Sequence, residues 1–95
     1  MHGEHKTPGG KLVVVDLDRV DDRLRKVEVS GDFFLYPDDV LTVIIGSLEG
    51  LDATLDQEAI AEHVRLALPD GAEVLGTSPQ GIAIAVRRAL EEGAE

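Results

Sequence analysis

The segment Pro8-Gly9-Gly10-Lys11 contains the residue types that phosphate-binding loops use. In a P-loop, a glycine, four further residues and Gly-Lys-Ser/Thr follow a strand and open a helix, so that backbone N–H groups converge on phosphate. Here Gly3 lies too far from Gly10, Leu12 replaces the hydroxyl residue, and the loop is followed by a strand pattern instead of a helix. By itself, therefore, the segment does not predict a nucleotide site.

Metal binding and nucleophilic catalysis are also not indicated. His2, Glu4 and His5 have suitable metal-binding groups, but ordering a mobile tail around an ion costs about 1 to 2 kcal/mol per residue. The chain contains no cysteine, and no serine or threonine lies in a nucleophile-elbow context. The third histidine, His63, falls on a predicted helix as a surface or rim residue. We therefore predict no metal site and no catalytic residue.

The carboxylates do not predict an acid/base pair. Such a pair needs a shared cleft in which two environments push the pKa values of the two groups apart. Asp16 and Asp18 fall on a strand face, whereas Asp38 and Asp39 fall at a helix start. Solvation and the helix dipole explain all four residues.

The hydrophobic pattern predicts strands early in the chain and helices late. Residues 11–18 and 24–31 alternate as two antiparallel strands joined by a turn at Asp21 and Asp22, and Gly31 ends or bulges the second strand. Helical patterns begin at Pro37, after a capping box of Thr54 and Gln57, and at Ser78 with Pro79; residues 72–76 form a short third strand.

This order predicts an α+β fold, with about three helices packed on one face of a small antiparallel sheet. We expect residues 1–95 to form a single domain, and we expect residues 1–10 to be flexible or ordered only by a partner.

The charge excludes several classes of partner. Nineteen acidic residues against nine basic ones give a formal net charge of -10, which repels nucleic acid and anionic lipid. No apolar run approaches the roughly 20 residues of a membrane span, and the polar N-terminus lacks the apolar segment of a signal peptide. We expect a soluble, cytoplasmic protein, and the acidic composition favours a salt-loving source.

Two segments are not fully explained by folding needs. HKTPGGKL, residues 5–12, has lysines on both sides of a glycine pair, and SGDFFLYPDD, residues 30–39, gathers all three aromatic residues at a strand-to-helix junction. Phe33 and Phe34 could fill the core and Asp32 could cap a turn. However, neighbouring residues of a strand point to opposite faces, so one phenylalanine is left for a partner or for the far side of the sheet.

These two segments, together with GIAIAVRRAL at residues 81–90, resemble the accessory domain of lipoate-protein ligases. In some ligases this domain follows the catalytic domain on one chain, and in many archaea it is a separate small subunit. The resemblance covers essentially the whole chain. It implies a fold similar to that of iron-sulfur assembly scaffold proteins, although this chain lacks the cysteines of such scaffolds.

The resemblance also implies a function. The chain would be a noncatalytic accessory subunit in a heterodimer with the catalytic subunit. The catalytic subunit binds lipoate and ATP with Mg²⁺ and forms lipoyl-AMP before transfer to a lysine of an acceptor domain. The accessory subunit would be required mainly for adenylation and would bind no cofactor alone.

The resemblance further implies which residues act. The loop residues would contact the partner or the adenylate site: Lys6, Pro8, Gly9, Gly10 and Lys11. The junction residues would form the interface or support the loop: Gly31, Asp32, Phe33, Phe34 and Tyr36. Two alternatives stay open, a stand-alone protein-interaction module unrelated to lipoylation and an autonomous enzyme, for which no nucleophile or metal site is found.

Overall fold

A computed structural model describes residues 1–6 and 8–92 and confirms the predicted α+β fold. Its elements follow the chain as β1 (His2–Lys6), β2 (Leu12–Val20), β3 (Arg23–Gly31), β4 (Phe34–Tyr36), α1 (Val40–Leu48), α2 (Gln57–Ala67), β5 (Glu73–Leu75) and α3 (Pro79–Glu92). In this part of the chain, no helix is long and apolar enough to cross a membrane.

The main sheet has three antiparallel strands in the order β1-β2-β3. Val13, Val15 and Leu17 of β2 are buried on one face, as their alternation predicts. The turn at Asp21 and Asp22 joins β2 to β3, and both residues have positive φ, as in a type I′ hairpin turn. The predicted strand pair and its turn are therefore confirmed.

The expected flexibility of residues 1–10 was wrong for the first six residues. His2–Lys6 form strand β1, which pairs with β2 from His2 opposite Asp16 to Lys6 opposite Leu12. Its only fully buried residue is Gly3, which lies against α3. The strand is thus held by ladder hydrogen bonds and helix contact, which its polar sequence does not reveal.

A second sheet consists of β4 and β5 alone. Phe34 pairs with Leu75, Leu35 with Val74, and Tyr36 with Glu73. The strand predicted at residues 72–76 is confirmed as β5, although it pairs with β4 instead of extending the main sheet. We call this two-stranded unit the ribbon.

The three helices form one layer. α3 packs on β1 and β2, α1 packs on β3, and α2 lies against both of these helices. Their apolar stripes supply the helical half of the core, including Ile44, Leu48, Ile60, Val64, Ile82 and Val86. The core therefore lies between this layer and one face of the main sheet, as predicted.

The helix starts differ from prediction at two of three places. α1 begins at Val40, not Pro37, and α2 is capped by Asp56, whose carboxylate accepts from the Ala59 N–H at 2.8 Å. Thr54 instead donates both its N–H and its hydroxyl to Asp52. The start of α3 is as predicted, with the Ser78 hydroxyl accepting from Gly81 N–H at 3.0 Å.

Substitution of Gly3 should destabilise the fold. An added Cβ would lie 2.1 Å from the Ala85 carbonyl oxygen and 2.4 Å from the Ala89 nitrogen, both backbone atoms of α3. We expect Gly3→Ala to lower the free energy of unfolding by about 1 to 3 kcal/mol, measured by urea denaturation.

The matched control is Gly46→Ala. Gly46 lies within α1, and a Cβ there meets no atom within 4 Å. Because alanine loses less backbone entropy in a helix, this variant should gain about 0.5 to 1 kcal/mol. Equal effects of the two substitutions would contradict the close approach of α3 to β1.

Candidate protein-interaction site

The structure brings the two unexplained segments together. The Lys11 N–H donates to the Gly76 carbonyl at 2.8 Å, and the Asp32 N–H donates to the Leu12 carbonyl at 3.1 Å. We call residues 5–12 the N-terminal loop and residues 30–39 the aromatic junction. The first bond joins the loop to the end of β5, and the second joins the loop to the junction. Loop, junction and ribbon thus meet at one end of the main sheet.

Two glycines allow this close packing. A Cβ on Gly76, which has φ of +90°, would lie 2.8 Å from Lys11 Cγ and 3.3 Å from Phe33 Cα. A Cβ on Gly31, with φ of +148°, would lie 2.1 Å from the Leu12 carbonyl oxygen. The aliphatic stem of Lys11 therefore lies over Gly76, where no side chain could stand between them.

The aromatic side chains lie on two different sides of the chain, one toward the core and two toward solvent, as strand alternation predicts. Phe33 is half-buried against the core, whereas Phe34 and Tyr36 are 56% and 57% exposed. Leu75, opposite Phe34, is also 57% exposed. We call Phe34, Tyr36 and Leu75 the ribbon face. Three large apolar side chains on one small surface are typical of a protein contact.

The other predicted loop residues lie at the end of β1 and ahead of β2. Lys6, at the end of β1, pairs with Leu12, and Lys11 directly precedes that residue. Pro8 and Gly9 are exposed and Gly10 is half-buried. At Gly9, φ is +72° and a Cβ would meet nothing within 4 Å, so the turn itself requires the glycine. The contacts predicted for all these residues remain predictions.

The start of β1 is held by a network that includes His2. Its Nδ1 lies 2.8 Å from an Asp16 carboxylate oxygen, and its Nε2 lies 2.6 Å from a Glu4 carboxylate oxygen. Only the protonated imidazole can donate to both. The Arg88 guanidinium donates to the Glu4 carbonyl at 2.8 Å, which also ties β1 to α3. This network fixes the strand from which the loop departs.

No metal-binding cluster emerges in residues 1–6 and 8–92. No group of three potential metal ligands occurs there. His2 and Glu4 contact each other directly, so they do not converge on a shared ion. Arg87 donates to the carbonyls of Ala53 and Leu55 at 3.1 and 3.3 Å, and this bonding gives it a structural role.

A cleft of about 730 Å³ lies between the starts of α2 and α3. Asp56, Glu58 and Glu62 line it, and its one cation, Arg65, donates to Glu62. This bonding lowers the pKa of Glu62 and raises the pKa of Arg65. A cleft with this charge does not suit an anion such as lipoate or ATP, so we do not assign the site there.

Sequence reasoning missed two residues of the site. Leu75 completes the ribbon face, and Gly76 receives both the Lys11 N–H and the Lys11 stem. The only available signal was the glycine at the end of a short apolar run, which is common at strand ends. Their role depends on which strand pairs with β4.

The fold and the site therefore define a small α+β protein with an exposed apolar surface and, among the residues the structure describes, no cluster of potential metal ligands. No protein-family model and no curated protein matches the chain.

A solved structure does match. It is a chain of the archaeal lipoylation system of Thermoplasma acidophilum, a bi-partite lipoate protein ligase and its E2 lipoyl domain. The TM-score is 0.72 at 27% sequence identity, over 92% of this chain and 98% of that chain. The predicted resemblance to a component of a lipoylation system is confirmed.

The His2 network predicts a pH-dependent stability. Its hydrogen bonds to Glu4 and then to Asp16 raise the pKa of His2 above its ordinary value. A raised pKa in the folded chain means that protonated His2 adds stability below about pH 6.5, and that this stability is lost as the pH rises through the raised pKa. We expect His2→Gln to lower the Tm more at about pH 6 than at about pH 9.

The matched control is His5→Gln. It removes an imidazole from the same strand and leaves Glu4 and Asp16 in place. Its effect on the Tm should not follow the pH profile of His2→Gln. A difference between wild type and His2→Gln that is constant or grows with pH would contradict the network.

Proposed function

We propose that this chain is the noncatalytic accessory subunit of a two-part lipoate-protein ligase, required for the formation of lipoyl-AMP by a cytoplasmic catalytic subunit. The match to a chain of the Thermoplasma lipoylation system carries this proposal. The loop and the ribbon face, which lie together at one end of the sheet, support it as the contact surface.

The chemistry of adenylation gives the subunit a physical role. The reaction places a carboxylate against a triphosphate with Mg²⁺, and like charges must be held together in a site that excludes water. A second protein can close such a site and contribute positive charge without donating a nucleophile. That role needs no metal-binding cluster of its own, and none occurs in the described residues.

The loop residues have the properties for this closure. Lys6 and Lys11 would offset negative charge at the adenylate site, and Pro8, Gly9 and Gly10 would let the backbone approach the partner closely. Lys11 is exposed, yet its backbone N–H is fixed to Gly76. The loop would thus present a lysine from a fixed point, and the ligand-binding site would be completed in the heterodimer.

The junction residues would hold the interface. Phe34 and Tyr36 would bury their exposed rings in the catalytic subunit, since large aromatic side chains dominate interface energetics. Gly31 and Asp32 would support the loop, because the Asp32 N–H bonds to Leu12 and Gly31 lies against the Leu12 carbonyl. Phe33 would support it through Gly76, against which its backbone lies.

The decisive experiment is lipoate-dependent exchange of pyrophosphate into ATP by a catalytic subunit of the same genome, with and without this chain. We expect exchange only when both chains are present. Equal exchange without this chain, by a catalytic subunit that is itself active, would reject the accessory role. The ribbon face would then favour the alternative, a stand-alone protein-interaction module.

Neutralising Lys11 should weaken activation. We expect Lys11→Gln to reduce the stimulated exchange rate by about tenfold, the size of a lost charge contact of about 1.4 kcal/mol, while far-UV and near-UV circular dichroism stay unchanged. Lys26→Gln is the matched control, because Lys26 is 85% exposed and lies beside Asp18 near the hairpin turn. Equal losses in both variants would point to net charge instead of the loop.

A second candidate follows from the E2 lipoyl domain in the same Thermoplasma system. An acceptor needs an accessible lysine, and the exposure of Lys26 satisfies that requirement. Intact-mass measurement after incubation with the complete ligase, lipoate and ATP separates the two roles. We expect no added lipoyl group on this chain, and a stoichiometric addition lost in Lys26→Gln would establish the acceptor role.

A further inference from the structure

The outer edge of β3 presents backbone groups that point away from the main sheet. Residues of an antiparallel strand alternate, so that both the N–H and the C=O of one residue face one neighbour and those of the next residue face the other side. The His2 N–H bonds to Glu92 and the Glu4 carbonyl to Arg88, so both point outward from β1.

The register carries this alternation across the sheet. Gly3 and His5 must then bond to Val15 and Val13 of β2, so Val15 and Val13 face β1. Their partners on β3, Val29 and Gly31, consequently have N–H and C=O groups that point to the open edge. The Asp32 N–H bond to the Leu12 carbonyl agrees with this assignment, because Leu12 precedes Val13 and therefore faces β3.

One outward N–H on the same edge already has a partner. The Val27 N–H donates to the Glu49 carboxylate at 2.6 Å, and the backbone just before it is covered by bonds between Leu24 and residues 50 and 51. Beyond Val27, no hydrogen bond from another element reaches the Val29 or Gly31 backbone within the described chain. Hydrogen bonds from other elements therefore cover the outer edge of β3 as far as Val27, but not at Val29 and Gly31.

An apolar cleft of about 310 Å³ lies beside these outward-pointing groups, where Gly31 is exposed and Val29 is 5% exposed. Its walls come from the end of β3, from the junction and ribbon, and from the start of α1, and they include Val29, Ser30, Gly31, Phe33, Leu35, Asp38 and Leu41. Asp38 is the only charged residue among them and is exposed. The cleft therefore combines backbone donors and acceptors, apolar walls and one carboxylate.

We infer that this edge binds an extended segment of the catalytic subunit, which pairs with the Val29 and Gly31 backbone as an added strand. The inference rests on the proposed function. In strand addition, main-chain hydrogen bonds provide affinity and pockets for alternate side chains provide specificity. One apolar side chain of the segment fills the cleft, and a lysine or arginine two positions away, on the same face, contacts Asp38.

Charge selects this occupant over a second copy of the same chain. A copy would bring its own net charge of -10 to a cleft whose charged residue is an aspartate. A basic segment gains from the same field, in approach rate as well as in the contact. The cleft also shares Gly31 and Phe33 with the predicted interface, so one partner can cover both.

Amide hydrogen exchange on the full chain tests the inference, with the catalytic subunit of the same genome as the probe. We expect exchange at Val29 and Gly31 to slow by at least about tenfold in the complex. The Val27 amide serves as the internal control, because its bond to Glu49 exists without a partner. A complex that forms without protection at Val29 and Gly31 would overturn strand addition at this edge and leave the accessory role intact. The absence of any complex would overturn both.

Two variants test the side-chain part. Leu41→Glu should weaken binding by about tenfold or more, whereas Leu66→Glu, at a 70% exposed position on α2, should not. Asp38→Lys, at an exposed position, keeps the test valid should Leu41→Glu fail to fold. It should weaken binding and flatten the salt dependence. Wild-type affinity of a folded Leu41→Glu or of Asp38→Lys would overturn the inference.

Discussion

The close approach of α3 to β1 at Gly3 is the constraint on which the rest of the structure depends. Because Gly3 has no side chain, the backbone of α3 can lie directly on the strand and cover Val13 and Val15 of β2. The same contact holds β1 in place, so the loop leaves from a fixed strand. The bond between Lys11 and Gly76 then fixes its other end.

The parts of the fold with a strong hydrophobic period could be predicted from sequence. Alternation located β2 and β3, and the 3.6-residue period located all three helices. β1 could not be found this way, because its sequence HGEHK has no apolar alternation and its stability comes from β2 and α3. β4, at three residues, is too short to show any period.

The candidate site could be predicted from the sequence only in part, for the same physical reason. Alternation alone shows that Phe33 and Phe34 cannot share one core, and it is Phe34 that lies outside. Leu75 joins the surface only because β4 pairs with β5, a contact between residues about forty positions apart that no local pattern encodes. The cleft beside β3 likewise depends on where α1 packs, so its residues were not predicted as a group.

The acidity of the chain and its lysine-bearing loop are compatible because electrostatic fields are local. At physiological ionic strength the Debye length is about 8 Å, so the net charge of -10 does not decide what a partner experiences at the loop. There, Lys6 at the end of β1 and Lys11 just before β2 supply positive charge. The acidic remainder disfavours self-association and nucleic-acid binding, whereas Asp38 offers a basic segment a separate point of attraction. In the proposed complex, the loop would in this way meet anionic substrates while the cleft meets a cationic segment of the partner.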